Sequence, residues 1–142
     1  MPLEFTSVTV SYFIHSTEDE SRLVESVRSA LGLEESEFRY DRIHGHFGNE
    51  MKFAIAHLIG KRANDVSVQI FSRLSPSAKR SLSARLEQSV DEHDALFLRL
   101  DRQTIKRSLS ISDEEPVRVK LKPKIRAGGR SKMIEFYREK LE

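Results

Sequence analysis

A chain of 142 residues with 38% hydrophobic and 32% charged side chains can bury one core of ordinary size and is too apolar for a disordered segment. The absence of cysteine excludes a disulfide framework, thiolate metal ligation and a cysteine nucleophile, and no apolar run reaches the length of a membrane span. The net charge of +2 hides a segregation: ten acids fall in residues 1–50, whereas residues 116–132 hold seven basic side chains and no acid, a distribution that points to a partner.

Residues 5–15, FTSVTVSYFIH, alternate Val8, Val10, Tyr12 and Ile14, which predicts a strand with one buried face. Thr17 followed by Glu20 has the pattern of a capping box. Leu23, Val24, Val27, Ala30 and Leu31 then recur at helical spacing until Gly32 stops them. Two further strands are expected over 37–44 and 50–59, joined through GHFGN as a hairpin. Ala63, Val66, Ile70, Phe71 and Leu74 predict a second helix. Ser75 and Pro76 end it and open a third, with Ser75 as cap and Pro76 at the first helical position. Ala78, Leu82, Leu86 and Val90 continue that helix at four-residue spacing. DALFLRLD, 94–101, reads as a strand with Leu96, Leu98 and Leu100 inward and Phe97 and Arg99 on the other face, and RQTIKRSL as a short helical or irregular piece.

The last strand is expected over 116–127. It is followed by a Gly128-Gly129 hinge and a closing helix marked by Met133, Ile134, Tyr137 and Leu141. The order β-α-β-β-α-α-β-β-α, with a short uncertain helical piece before the last strand, describes one α+β domain over 1–142. Helices pack on one face of a mostly antiparallel sheet, and the other face is partly free.

The last strand carries the strongest functional signal. Arg118, Lys120, Lys122, Lys124 and Arg126 alternate with Val117, Val119, Leu121, Pro123 and Ile125. Strand side chains alternate faces, so the cations project from one side, roughly 7 Å apart. Such a row repels itself, and a run of phosphates relieves that cost by releasing counterions. Arg130 and Lys132 extend the track past the hinge. The competing reading is an edge strand that its lysines and Pro123 protect from aggregation. An edge of this kind would also serve a protein-interaction module that pairs it with a partner strand or an acidic surface.

Other constellations are weaker. His44 and His46 could place two imidazoles on one side of an extended segment, and a zinc site would recruit His15, His57 or Asp41. That would make a metal-dependent phosphodiesterase the third reading. Display of His46 and Phe47 at the hairpin tip for base stacking fits the composition better. DEHD, 91–94, resembles a helicase box by letters only, without a phosphate-binding loop, and the many serines come without a nucleophile elbow. Nothing in the chain calls for a cofactor. FLRLDRQ places Arg99, Arg102 and Gln103 at the end of a hydrophobic strand, as a salt-bridged terminus or a binding cluster.

HSTEDE, GHFGN, LFLRLDRQ and VRVKLK, in that order over nearly the whole chain, resemble a small archaeal family of RNA-binding proteins, also described as predicted exosome subunits. Its fold is similar to the ribosomal protein that binds 5S rRNA. Where the family loop carries proline after the asparagine, this chain has Glu50, an acid beside the proposed tip.

The resemblance implies RNA binding without a catalytic site, with subunits of an RNA-processing complex or the ribosome as further partners. Together with the residues, it gives a non-enzymatic RNA-binding protein. With no leader or membrane segment visible, a cytoplasmic location is the default. Phosphates would follow Arg118 to Arg126, with Arg99, Arg102, Arg130 and Lys132 adding contacts. His46 and Phe47 would stack on bases, and Asn49 and Gln103 would bond base edges or the 2′-hydroxyl.

Overall fold

The computed structural model describes residues 3–15, 19–44, 50–124 and 128–142. Five strands, Phe5–His15 (β1), Phe38–His44 (β2), Glu50–Ile59 (β3), Leu96–Leu100 (β4) and Val117–Pro123 (β5), form one sheet in the order β2-β3-β1-β5-β4. Every neighbouring pair is antiparallel. The helices are Glu20–Leu31 (α1), Gly60–Arg73 (α2), Pro76–Ala84 (α3), Leu86–Ser89 (α4) and Gly129–Lys140 (α5). The expected two-layer α+β architecture is what forms.

The period of two decides which face is covered. Val8, Val10, Tyr12 and Ile14 of β1 are buried together with Leu96, Leu98 and Leu100 of β4 and Val117, Val119 and Leu121 of β5. On β3 the buried set is Ala54, Ala56 and Leu58. Two alanines leave room for α2 to lie close over β1 and β3, so the larger side chains of β3 point to the other face. Phe5 fixes the helical layer, its ring lying 5.7 Å from Phe71 of α2 and 5.7 Å from Phe136 of α5. The closing helix packs on its own domain: Met133, Phe136, Tyr137 and Leu141 are buried, and the Tyr137 hydroxyl donates to the Asp94 carbonyl at 2.6 Å.

Local signals account for most boundaries. Helix α1 begins after Asp19, whose carboxylate accepts from the Arg22 N–H at 3.2 Å. The cap is therefore Asp19, while Thr17 lies outside the described residues. Gly32 ends α1 in the left-handed region at φ 69°, and a Cβ there would lie 2.5 Å from Gln69 Oε1. Ser75 caps α3 by accepting from the Ala78 N–H at 3.0 Å, with Pro76 in the first turn. Ser75→Ala is expected to cost about 1 kcal/mol, read as a lower denaturation midpoint at unchanged m-value. The predicted continuous helix from 76 to 90 breaks at Arg85 into α3 and the short α4, yet Ala78, Leu82, Leu86 and Val90 all stay buried.

The Arg62 guanidinium ties α2 to the turn after α1. It lies 2.6 Å from Glu37 Oε1 and donates to the Gly32 carbonyl at 2.7 Å. Hydrogen bonding from Arg62 holds the Glu37 carboxyl below its usual range. Its folded pKa is depressed, so this pair's stabilisation is complete above the unfolded value of 4.5 and is lost as pH falls through the folded one. Glu37→Gln is expected to lower stability at pH 7 and to narrow the gap from wild type as urea titrations move below pH 4.

Two strand expectations are corrected. The last strand ends at Pro123, short of 127, and Arg126 lies outside the described residues. It is also an interior strand, held between β1 and β4, so neither edge protection nor a basic edge offered to a partner strand describes it. Pro123 is tolerated because it is the last strand residue, opposite Phe5 at a register shift between Phe5 and Ser7. The sheet edges are β2 and β4. Backbone bonds from Asp101 to Ser110 and from Ser112 to Arg99 partly cover β4. No helix among the described residues is long and apolar enough to cross a membrane.

Candidate nucleic-acid interface

The face of the sheet opposite the helices is built by cross-strand rows. Arg99 of β4 stands opposite Arg118 of β5, which stands opposite Ser11 of β1, then Ile55 of β3 and Arg39 of β2. The next row runs Phe97, Lys120, Thr9, His57. Lys122 follows opposite Ser7, itself opposite Ile59. On the β1 side the neighbours of the β5 cations are short hydroxyl side chains, Ser7, Thr9 and Ser11. Arg118, Lys120 and Lys122 are all exposed, so the predicted alternation holds over the length of β5.

The like-charged pair Arg99–Arg118 is an unfavourable cross-strand placement. Asp113 offsets part of it, its Oδ1 lying 3.3 Å from Arg99 Nη1. Beside the cations the face is aromatic and aliphatic. Phe13 and Phe53 pair directly with ring centroids 5.1 Å apart. Phe97 is 44% exposed beneath the Lys120 ammonium, 5.6 Å from its ring centre, and Ile59 is 69% exposed. His57 ends its row, its Nδ1 2.8 Å from Thr9 Oγ1.

The remaining expected residues divide by location. Lys124 is exposed just past β5, its backbone N–H donating to the Glu4 carbonyl. His46, Phe47, Asn49 and Arg126 lie outside the described residues. Arg102 works within the fold, donating to the Glu115 carbonyl at 2.7 Å and the Phe13 carbonyl at 2.6 Å, which fastens the 101–116 connection to the end of β1. Gln103 is exposed in the same connection, its N–H bonded to Asp101.

Arg130 is likewise engaged, donating to the carbonyls of Glu87, Val90 and Asp91 at the end of α4. Lys132 pairs with Glu135 on α5. Both stand on α5, Arg130 engaged with the end of α4 and Lys132 exposed. The residues weighed as extra metal ligands are dispersed. His15 pairs with Glu115 at 2.8 Å on the open face, whereas His44 has the parity of the helical face. Among the described residues no three His, Asp or Glu side chains gather where they could hold a metal ion.

A family model described as RNA binding matches residues 7–123, from the central strand to the end of β5. The chain belongs to the RNA-binding family. It is 25% identical to the RNA-binding protein PAB1135 of Pyrococcus abyssi over 147 residues, 99% of this chain and 96% of that protein. The solved structure of protein AF2318 from Archaeglobus fulgidus, assigned to DUF54, superposes with a TM-score of 0.78 at 28% identity, covering 96% of this chain and 99% of that one. A DUF54 protein from Methanothermobacter thermautotrophicus shares the fold, with a TM-score of 0.78 at 22% identity over 98% of this chain and 99% of that one.

All five strands of this RNA-binding family member fall within the matched span or at its margins, and α5 lies outside it. Sequence reasoning placed the cations but missed Phe13, Phe53 and Met51 as parts of the same face. The signal was present in the parity of β1 and β3. Its sense depended on knowing that Ala54 and Ala56, and not the larger residues, face the helices.

Proposed function

We propose that this chain is a non-catalytic RNA-binding protein whose open sheet face is the interface. The observation that carries the reading is the row Arg118, Lys120, Lys122, exposed on the face that no helix covers among the described residues and continued sideways by Arg99. Cations at two-residue strand spacing lie about 7 Å apart, and a phosphate backbone relieves their mutual repulsion. Membership of the RNA-binding family and the likeness to an RNA-binding protein of Pyrococcus abyssi support RNA as that polyanion. Phosphate contacts set position and orientation, while base contacts would come from the apolar half of the face. A place beside RNA-processing machinery, and a kinship of fold with the 5S-rRNA-binding ribosomal protein, are further parts of this proposal that rest on family resemblance.

The test is equilibrium binding of the whole chain to single-stranded and duplex RNA across a salt series. Three phosphate contacts give a log–log slope of about −2 on single strands. Absence of RNA binding at low salt, or binding indifferent to salt, overturns the proposal.

A further inference from the structure

The register of the open face lines up a diagonal: Phe97 on β4, Arg118 on β5, Phe13 on β1 and Met51 on β3, each one strand across and two residues along from the last. Each step is about 8 Å, so Phe97 and Phe13 stand about 16 Å apart with a guanidinium between them. The upper end of the diagonal opens into a cavity of about 330 Å³ lined by Phe13, Met51, Pro116 and Arg118, with Asp113 and Glu115 beside His15 and Arg102 at its polar side. The aromatic ring, thioether and proline ring suit the flat apolar face of a base. At the lower end Phe97 lies open beneath Lys120, so a base on the ring would have a cation beside it for its own phosphate.

We infer that the RNA this protein takes is unpaired where it crosses the sheet, with one base stacked on Phe97, another seated in the Phe13–Met51 cavity, and the intervening backbone on Arg118. The inference rests on the proposed RNA-binding role and names its substrate class. Neighbouring stacked bases lie about 3.4 Å apart, so two seats 16 Å apart hold bases separated by several nucleotides or splayed from each other. A duplex, with its bases turned inward, reaches the cations and neither seat. The cavity's carboxylates can also accept from the amino or imino N–H of a seated base, which a phosphate cannot offer.

The experiment uses the whole chain and a ten-nucleotide single-stranded RNA carrying 2-aminopurine at each position in turn, with the same sequence as a blunt duplex. The variants are Phe97→Ala, Phe13→Leu, which keeps an apolar side chain against Phe53, and the combined Arg118→Ala, Lys120→Ala, Lys122→Ala. Wild type is expected to change the 2-aminopurine emission at two separated positions. Phe97→Ala removes one change and Phe13→Leu the other. Each weakens single-strand affinity by between about 5-fold and 150-fold, while the salt slope is unchanged because no charge is altered.

If the duplex binds as tightly as the single strand and both Phe variants keep wild-type affinity, while the triple variant still loses binding, base seating is wrong and the RNA interface stands. If no RNA binds the wild type, the RNA-binding role falls and the inference falls with it.

Discussion

Replacing Arg118, Lys120 and Lys122 together by alanine is expected to weaken binding of single-stranded RNA by about 100-fold at 0.1 M salt and to flatten the log–log salt slope by about 2, with the two proteins converging as salt approaches 1 M. Each phosphate contact on a single strand contributes about 0.7 to that slope, and three contacts are removed. The effect is separable from folding. All three side chains point to solvent while Val117, Val119 and Leu121, which hold the strand in the core, are untouched. Removing Arg118 also relieves its repulsion with Arg99, so the denaturation midpoint should hold or rise. The same loss of charge made on the helical layer, with Lys61, Arg80 and Arg138 changed to alanine, should leave the slope near its wild-type value.

The largest effect on stability is expected at Phe5, where truncation to alanine should cost about 3–5 kcal/mol. Phe5 is fully buried and stacks on Phe71 while also touching Phe136, so it joins the first strand to both α2 and the closing helix. Its loss leaves a cavity at the junction of three elements, none of which can shift without breaking strand pairing or helix packing. Its chain is also held there by the Asn64 side chain, which accepts from the Glu4 and Phe5 N–H groups at 2.8 and 3.1 Å. Urea unfolding measures the change directly. A cost below about 1 kcal/mol would mean that α5 is not seated on this cluster.

The sequence made some features of this protein legible because they are local. Ser75 followed by Pro76, Gly32 after the helical stripe, and the strict alternation from Val117 to Lys122 each carry their physical reason within a few residues. Pairing partners carry no such local mark. Pro123 and the lysines argued for an edge, and only the pairing of β5 with both β1 and β4 reveals an interior strand with a register shift at its end.

The face of β3 was ambiguous for a different reason. Met51, Phe53 and Ile55 look like core residues by type, but close approach of α2 needs the small Ala54 and Ala56 inward. Arg102 and Arg130 read as free cations in a basic protein. Their guanidinium groups in fact satisfy backbone carbonyls distant in sequence, a use that becomes visible only when the chain is folded. Of the composite site foreseen from sequence, the β5 row therefore survives as a surface. The hairpin tip with His46 and Phe47 lies outside the described residues, and the base seats proposed at Phe13 and Phe97 belong to the sheet itself.

A chain of 142 residues allows the interface to be mapped residue by residue. The deciding measurement is the change in backbone amide chemical shifts as a short single-stranded RNA is titrated into the labelled protein at low salt. The account predicts that the perturbed amides cluster on the open-face strands, at Thr9, Ser11, Phe13, Phe97, Arg99, Arg118 and Lys120, with those of Lys61, Arg80 and Arg138 unmoved. Shifts centred on the helical layer, with the β5 row unaffected, would contradict it.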